Sequence, residues 1–268
     1  MSTACSSALR SAAVAVYREA TWAQKARAEA KRRAQIKRAQ AAFAALFRRQ
    51  GRLFLARLPK LASYFIVEEA AYDGDLVDAF ADVFGTTRRQ AEKALVDSMF
   101  DGLTLGYTTQ AAEFGIEQSF KIEAKRATAW ARANAAGKVT AIDDTTRESI
   151  QGAITRGIES GESYGAVARD IRDRFDGFTT QRAQLVAVQE NAMAYEAGTR
   201  TLVDDIQAAG IKMEKMLDGP DDELTSDLCR EDMAAGWIPA DEPFPSGEMS
   251  APIHVGCRHS TAYRVAEG

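Results

Sequence analysis

A chain of 268 residues, 46% hydrophobic and 27% charged, is long enough to bury a real core and has the composition of a soluble globular protein. No apolar run approaches the roughly 20 residues of a membrane helix, so no membrane span is expected. The net charge of −4 conceals a division: residues 10–60 carry fourteen Lys/Arg against Glu19 and Glu29 alone, while the remainder carries twenty Lys/Arg against thirty-six Asp/Glu.

The N-terminus begins S-T-A-C-S-S-A-L-R and lacks a basic patch followed by an apolar run, so a secretory signal is not expected. Cys5, Cys229 and Cys257 are too few for a disulfide framework, which points to reduced thiols in a cytosolic setting.

From about Ser7 to Leu58 there is no proline, and Ala, Arg, Lys, Gln and Glu predominate. These residues lose little side-chain freedom in a helix. Ile36, Phe43, Phe47, Phe54 and Leu58 recur at helical spacing, with Ala39 and Leu46 alongside, and Pro59 is the expected stop. The expectation is a long basic N-terminal helix reaching on the order of 70 Å. Arg27, Lys31, Arg32, Arg33, Lys37, Arg38, Arg48 and Arg49 are its candidate contacts with nucleic acid or an acidic protein surface. A solvated helix whose charge only maintains solubility is the plainer alternative.

Residues 60–136 read as further helices. Leu76, Val77, Phe80, Val83 and Phe84 form one apolar face, Gly85-Thr86-Thr87 predicts a break, and Arg88–Phe100 resumes. Gly102, Gly106 and Gly115 weaken the helical signal, and Gln118–Ala136 restores it. Gly137-Lys138-Val139-Thr140 is the best candidate boundary. Thr145 or Thr146 is then an expected cap, before Ile150, Ile154 and Ile158 at a spacing of four. A stop is expected at Ser160-Gly161 and a cap at Ser163. Termination follows at Asp176-Gly177, and a third helix opens at Thr179 or Thr180 and ends by Gly210. Ile211–Leu217 and Thr261–Val265 read as strands, with a long irregular loop between them.

That loop and its ends hold both histidines and two of the three cysteines. Cys229 precedes His254-x-x-Cys257-x-His259 by 25 residues. Thiolate and imidazole are good zinc donors, so Cys229, His254, Cys257 and His259 form a candidate zinc site, with Asp232 or Asp227 as alternative fourth ligands. A loop held by packing and hydrogen bonds alone is the plainer reading and ranks ahead of the metal site. A Cys229–Cys257 disulfide is disfavoured by the compartment, and catalysis by Cys229 with His254 ranks lowest.

The pattern D-G-P-D…Cys229-Arg230…Gly236…Pro252-Ile253-His254-x-x-Cys257-Arg258 resembles the C-terminal signature of tailed-phage head morphogenesis proteins, the Mu F-like minor head protein family. The preceding block is similar too: a helix ending I-x-x-G, then G-E-S-Y-G-A-V-A-R-D-I-R-D-R-F, then Q-R-A-Q-L-V-A-V-Q-E-N. The resemblance covers roughly residues 140–268. Two departures stand out. Cys257-Arg258-His259 replaces the family's frequent Cys-Arg-Cys, and Ala187-Val188-Gln189-Glu190 replaces Ala-Arg-Thr-Glu.

The resulting expectation is a mostly α protein with a small C-terminal α+β domain. Its parts are a basic helical arm (1–59), a helical middle region (60–137) and a Mu F-like minor head protein domain (138–268). The resemblance implies a structural virion protein, not an enzyme: a minor capsid or head morphogenesis protein acting at or near the portal inside the head. Its implied partners are the portal protein and other head proteins, with packaged double-stranded DNA as a further candidate through the basic arm. Its implied location is the capsid interior or portal vertex, with host cytoplasm during assembly. A metal-dependent hydrolase built on Cys229, His254 and Cys257 is the reading from a different class. No second carboxylate–histidine cluster or phosphate-cradling glycine loop supports it.

Overall fold

The computed structural model describes residues 22–57, 72–115, 124–160 and 162–266. Four long helices come first: α1 (Trp22–Leu55), α2 (Tyr72–Glu113), α3 (Ala124–Glu159) and α4 (Tyr164–Ala208). The C-terminal part follows as β1 (Met213–Asp218), α5 (Asp227–Ala234), β2 (Ile238–Pro239) and β3 (Ser260–Val265). The mostly helical fold with a small C-terminal α+β region is therefore present. The expected start of the first helix at Ser7, its stop at Leu58-Pro59, and Gln118–Phe120 lie outside the described residues.

Two compact units emerge from the packing. Of the described residues, one comprises those within Ile36–Asp97 and Trp130–Val188; the other comprises those within Ser98–Ala129 and Gln189–Gly268 with α1 as far as Gln35. In the first, Ala39, Phe43, Leu46, Phe47 and Phe54 of the apolar stripe predicted for α1 are buried, with Phe43 and Leu46 fully enclosed, while Ile36 is half-buried and Leu58 lies outside the described residues. Phe54 stacks on Phe80 at 5.0 Å between ring centroids, and Phe80 on Phe84 at 5.7 Å. Ile150, Ile154, Val167 and Ile171 complete this core. Aromatic burial of this kind contributes both area and preferred ring geometry. Val77, expected on the same apolar face, is instead half exposed.

Three predicted breaks are absent, for two physical reasons. Helix α2 runs through Gly85-Thr86-Thr87, and α3 runs through Gly137–Thr140 and past Thr145 and Thr146. The threonines do not cap. Thr87 Oγ1 donates back to the Val83 carbonyl at 2.9 Å, Thr145 to Ala141 at 2.8 Å, and Thr146 to Ile142 at 2.8 Å. A hydroxyl satisfied this way sits inside a helix at little cost. Helix α4 likewise continues through Asp176-Gly177 and Thr179-Thr180, with Thr179 buried. One glycine in a helix of this length costs only about 1 kcal/mol, which packing outweighs. Ser163 does fulfil its predicted role, accepting from the Ala166 N–H at 3.3 Å at the start of α4.

The second unit uses its glycines for close helix approach. A Cβ on Gly106 of α2 would overlap the Tyr195 carbonyl of α4, and one on Gly198 would overlap the Leu103 carbonyl. A Cβ on Gly102 would stand 2.9 Å from both Ala194 Cβ and the Asn191 carbonyl. Backbones can meet this closely only where side chains are missing. Beyond Gly210, which takes φ +89° after α4, the chain enters the sheet. The three-stranded sheet has the order β2-β1-β3, with β1 antiparallel to both neighbours. Glu214 pairs with Arg264, Lys215 with Tyr263 and Leu217 with Thr261. Met213, Lys215 and Leu217 face inward on β1. Both predicted strands are present. The segment between them is not irregular throughout, since it contains α5 and β2.

Candidate functional site

Helix α5 presents Cys229 from its first turn. Ser226 caps the helix, its Oγ accepting from the Cys229 N–H at 3.2 Å, and Cys229 is fully buried. The opposite wall comes from the Pro252–His259 segment. Cys229 Sγ lies 3.3 Å from His254 Nε2 and 3.8 Å from Cys257 Sγ. His259 Nδ1 lies 3.6 Å from Cys257 Sγ. Three of the four residues singled out in the sequence, Cys229, His254 and Cys257, thus converge at one place, and His259 stands beside Cys257 outside that group. Burial pushes the Cys229 thiol pKa up, opposed by a hydrogen bond from Ser226 and reinforced by Cys257 and Asp232.

The two alternative carboxylates are engaged elsewhere. Asp227 is exposed and within 3.4 Å of Arg230. Asp232 is fully buried, with one oxygen accepting from the Ser246 N–H at 2.8 Å and the other from the Ser246 hydroxyl at 2.7 Å.

The residues around the cluster explain the D-G-P-D and Cys-Arg pairs. Arg258 makes a bidentate ion pair with Asp222, its Nη1 at 2.9 Å, and this pair holds the Asp222 carboxyl down at about 2. Arg230 reaches Asp221 at 3.1 Å and the Asp222 carbonyl at 2.8 Å. The arginine after each cysteine therefore grips the same acidic turn. Gly219 admits the His259 ring, because a Cβ there would lie 2.6 Å from its Cδ2. At the position where the family carries arginine, Val188 is exposed; Gln189 instead accepts from the Gly256 N–H at 3.5 Å.

Two buried charges were not singled out in the sequence. Lys215 is fully buried, donates to the Met249 carbonyl at 2.7 Å, and sits 4.6 Å from the centroid of the Phe244 ring. Loss of water, with Arg200 nearby, lowers its pKa to about 8, against the pull of Asp241, Asp232 and Glu242. The M-E-K-M-L alternation of β1 carried that signal, since it places Lys215 on the face of Met213 and Leu217. Glu196 of α4 is also buried and accepts from the Thr261 N–H at 3.4 Å. Asp232→Ala is expected to lower stability by about 2–4 kcal/mol, because it strands the Ser246 donors and removes a compensating charge for Lys215. Urea denaturation checks this, and a change below about 0.5 kcal/mol would exclude the role.

On α1, Arg27, Lys31, Arg33, Lys37, Arg38, Arg48 and Arg49 are exposed. Arg32 differs: it is half-buried with its guanidinium 4.7 Å from the Tyr195 ring centroid. It sits seven residues before buried Ala39, hence on the inward face of the helix. Arg33 is within 2.9 Å of Glu29, and Arg49 donates to Gln90 at 3.1 Å.

Residues 148–262 match the family model described as Phage Mu protein F like protein. This C-terminal part of the chain is therefore similar to the phage Mu F-like family, which supports the broad class of phage head morphogenesis protein. No curated protein and no solved structure matches the chain. No described helix is long and apolar enough to cross a membrane.

Proposed function

We propose that this protein is a minor capsid component of a phage head, acting structurally at or near the portal and inside the particle. The observation that carries this is the family match over residues 148–262. The C-terminal geometry is compatible with a binding role. Its arginines and carboxylates are engaged in clasping the Asp218–Asp222 turn, and its cysteines and histidines face one another. Its partners are the portal protein and other head proteins. Purified protein is expected to co-sediment with portal or with proheads, and failure to sediment with either would overturn this reading.

A second reading is favoured by the exposed basic residues of α1: contact with packaged double-stranded DNA. Replacing Arg27, Lys31, Lys37, Arg38 and Arg48 by Gln preserves the buried face of the helix, which deletion of the arm would destroy. If these residues meet phosphates, the slope of log Kobs against log salt should flatten by about 0.9 for each contact removed. Salt-insensitive binding, or binding unchanged by the substitutions, would exclude the DNA reading and leave an acidic protein surface as the partner of the arm.

A further inference from the structure

We propose that Cys229, His254 and Cys257 hold a zinc ion that fixes the C-terminal α+β region, with His259, beside Cys257, as the fourth ligand. The ligand atoms of Cys229, His254 and Cys257 all lie within 4.8 Å of one another; His259 lies outside that group, with its Nδ1 3.6 Å from Cys257 Sγ. Zinc–sulfur bonds of about 2.3 Å and zinc–nitrogen bonds of about 2.0 Å, at tetrahedral angles, set two sulfurs about 3.8 Å apart and a sulfur and a nitrogen about 3.5 Å apart. The separations here are 3.8 Å between Cys229 and Cys257 sulfurs, 3.3 Å from Cys229 to His254, and 3.6 Å from Cys257 to His259. The first two are close to edges of that tetrahedron among the three grouped ligands, and the third sets His259 at a matching distance from Cys257. A disulfide would need its sulfurs at about 2.05 Å, well inside the observed separation.

The second line of support is the outer hydrogen bonding of both rings. His254 Nδ1 lies 3.0 Å from the Val255 carbonyl, and His259 Nε2 lies 2.9 Å from the Pro220 carbonyl. A carbonyl only accepts, so each of these nitrogens carries the proton and donates it. The other nitrogen of each ring, His254 Nε2 and His259 Nδ1, is then left with a lone pair aimed at a cysteine sulfur. Metal-bound histidines are oriented in this way, by a backbone acceptor on the far side of the ring.

Charge also balances. Binding displaces one proton from each thiol, two in all, and two thiolates neutralise the divalent cation, so the enclosed site carries no net charge. That suits the complete burial of Cys229. Ser226, 3.0 Å from His254 Nε2 and bonded also to the Cys229 side chain, has its hydroxyl proton available for the thiolate once the metal takes the ring nitrogen. With four protein ligands the site keeps no open position, which makes it a fastening rather than a hydrolytic centre. It would join the N-terminal turn of α5 to the segment entering β3, across a 28-residue separation.

The test is metal analysis of the full-length protein purified without added chelator, alongside cobalt titration of the stripped protein. The wild type is expected to hold about one zinc per chain, and the cobalt form should show thiolate-to-metal charge transfer and the visible bands of a tetrahedral ion. Cys229→Ser and Cys257→Ser should lose the stoichiometric zinc, and His259→Ala should weaken zinc binding at least about tenfold. Stripping the wild type should lower its melting temperature, and zinc should restore it. The wild-type measurements stand even if a variant fails to fold. A wild type that neither carries zinc nor acquires a tetrahedral cobalt spectrum would overturn the proposal, as would a Cys229–Cys257 disulfide in freshly isolated protein. The outcome is independent of portal binding.

Discussion

Gly198→Ala is expected to destabilise the protein by about 3 kcal/mol or more, and Gly106→Ala by a similar amount. In an ordinary exposed helix the same change gains about 1 kcal/mol, because alanine has the better propensity. Here the sign reverses through packing. The new Cβ of Gly198 would overlap the Leu103 carbonyl and stand 2.9 Å from the Tyr107 amide nitrogen. Both are helical backbone and cannot rotate aside. Relief requires α2 and α4 to separate, which opens the core of Tyr107, Ala111, Leu202, Val203 and Ile206. Gly85→Ala and Gly137→Ala are the controls, since nothing lies within 4 Å of a Cβ at either position. They should raise stability by about 0.5–1 kcal/mol. Urea midpoints of the four variants decide the matter; a Gly198→Ala protein as stable as the wild type would remove the close-approach account.

The second large effect is in pH. Burial raises the Glu196 carboxyl from 4.5 to about 7, and the opposing Thr261 hydrogen bonds and Arg32 charge do not offset it. The raised value means that the folded state holds this proton more tightly than the unfolded chain. The stability contributed is fully present below pH 4.5 and is lost as pH rises through about 7, on the order of 3 kcal/mol. Glu196→Gln keeps a neutral side chain and a carbonyl acceptor for Thr261 at every pH. It should match the wild type near pH 4.5 and exceed it by up to about 3 kcal/mol at pH 8. Equal pH dependence in the two proteins would show that Glu196 does not titrate in this way.

What was legible in the sequence was the apolar patterning and the local chemistry. The stripe through Phe43, Phe47 and Phe54, the strands at Met213–Asp218 and Ser260–Val265, and the Ser163 cap all lie where spacing and residue type place them. The misread positions share a cause. Thr87, Thr145 and Thr146 can either cap a helix or bond back within one, and Gly102 and Gly106 can either weaken a helix or admit a neighbour. Only the packing partner decides between these, and it comes from remote sequence. The meeting of Cys229 with His254 and Cys257, and of Cys257 with His259, was legible as chemistry. The two ring orientations, set by Val255 and Pro220 carbonyls, were not, because backbone acceptors leave no mark in residue type.

The outer margin of β3 carries a consequence for crowding. A strand at the edge of a sheet normally offers unpaired amides to any other chain that approaches, and an assembling particle concentrates its components. In this protein the Thr261 amide points away from β1 and is taken by the Glu196 carboxyl of α4, while the Thr261 hydroxyl accepts from the Ala251 N–H at 2.8 Å. The Thr261 end of β3 is thus sealed from within the same molecule. Side-chain capture of an edge amide guards against strand-on-strand aggregation without a further strand to cover it.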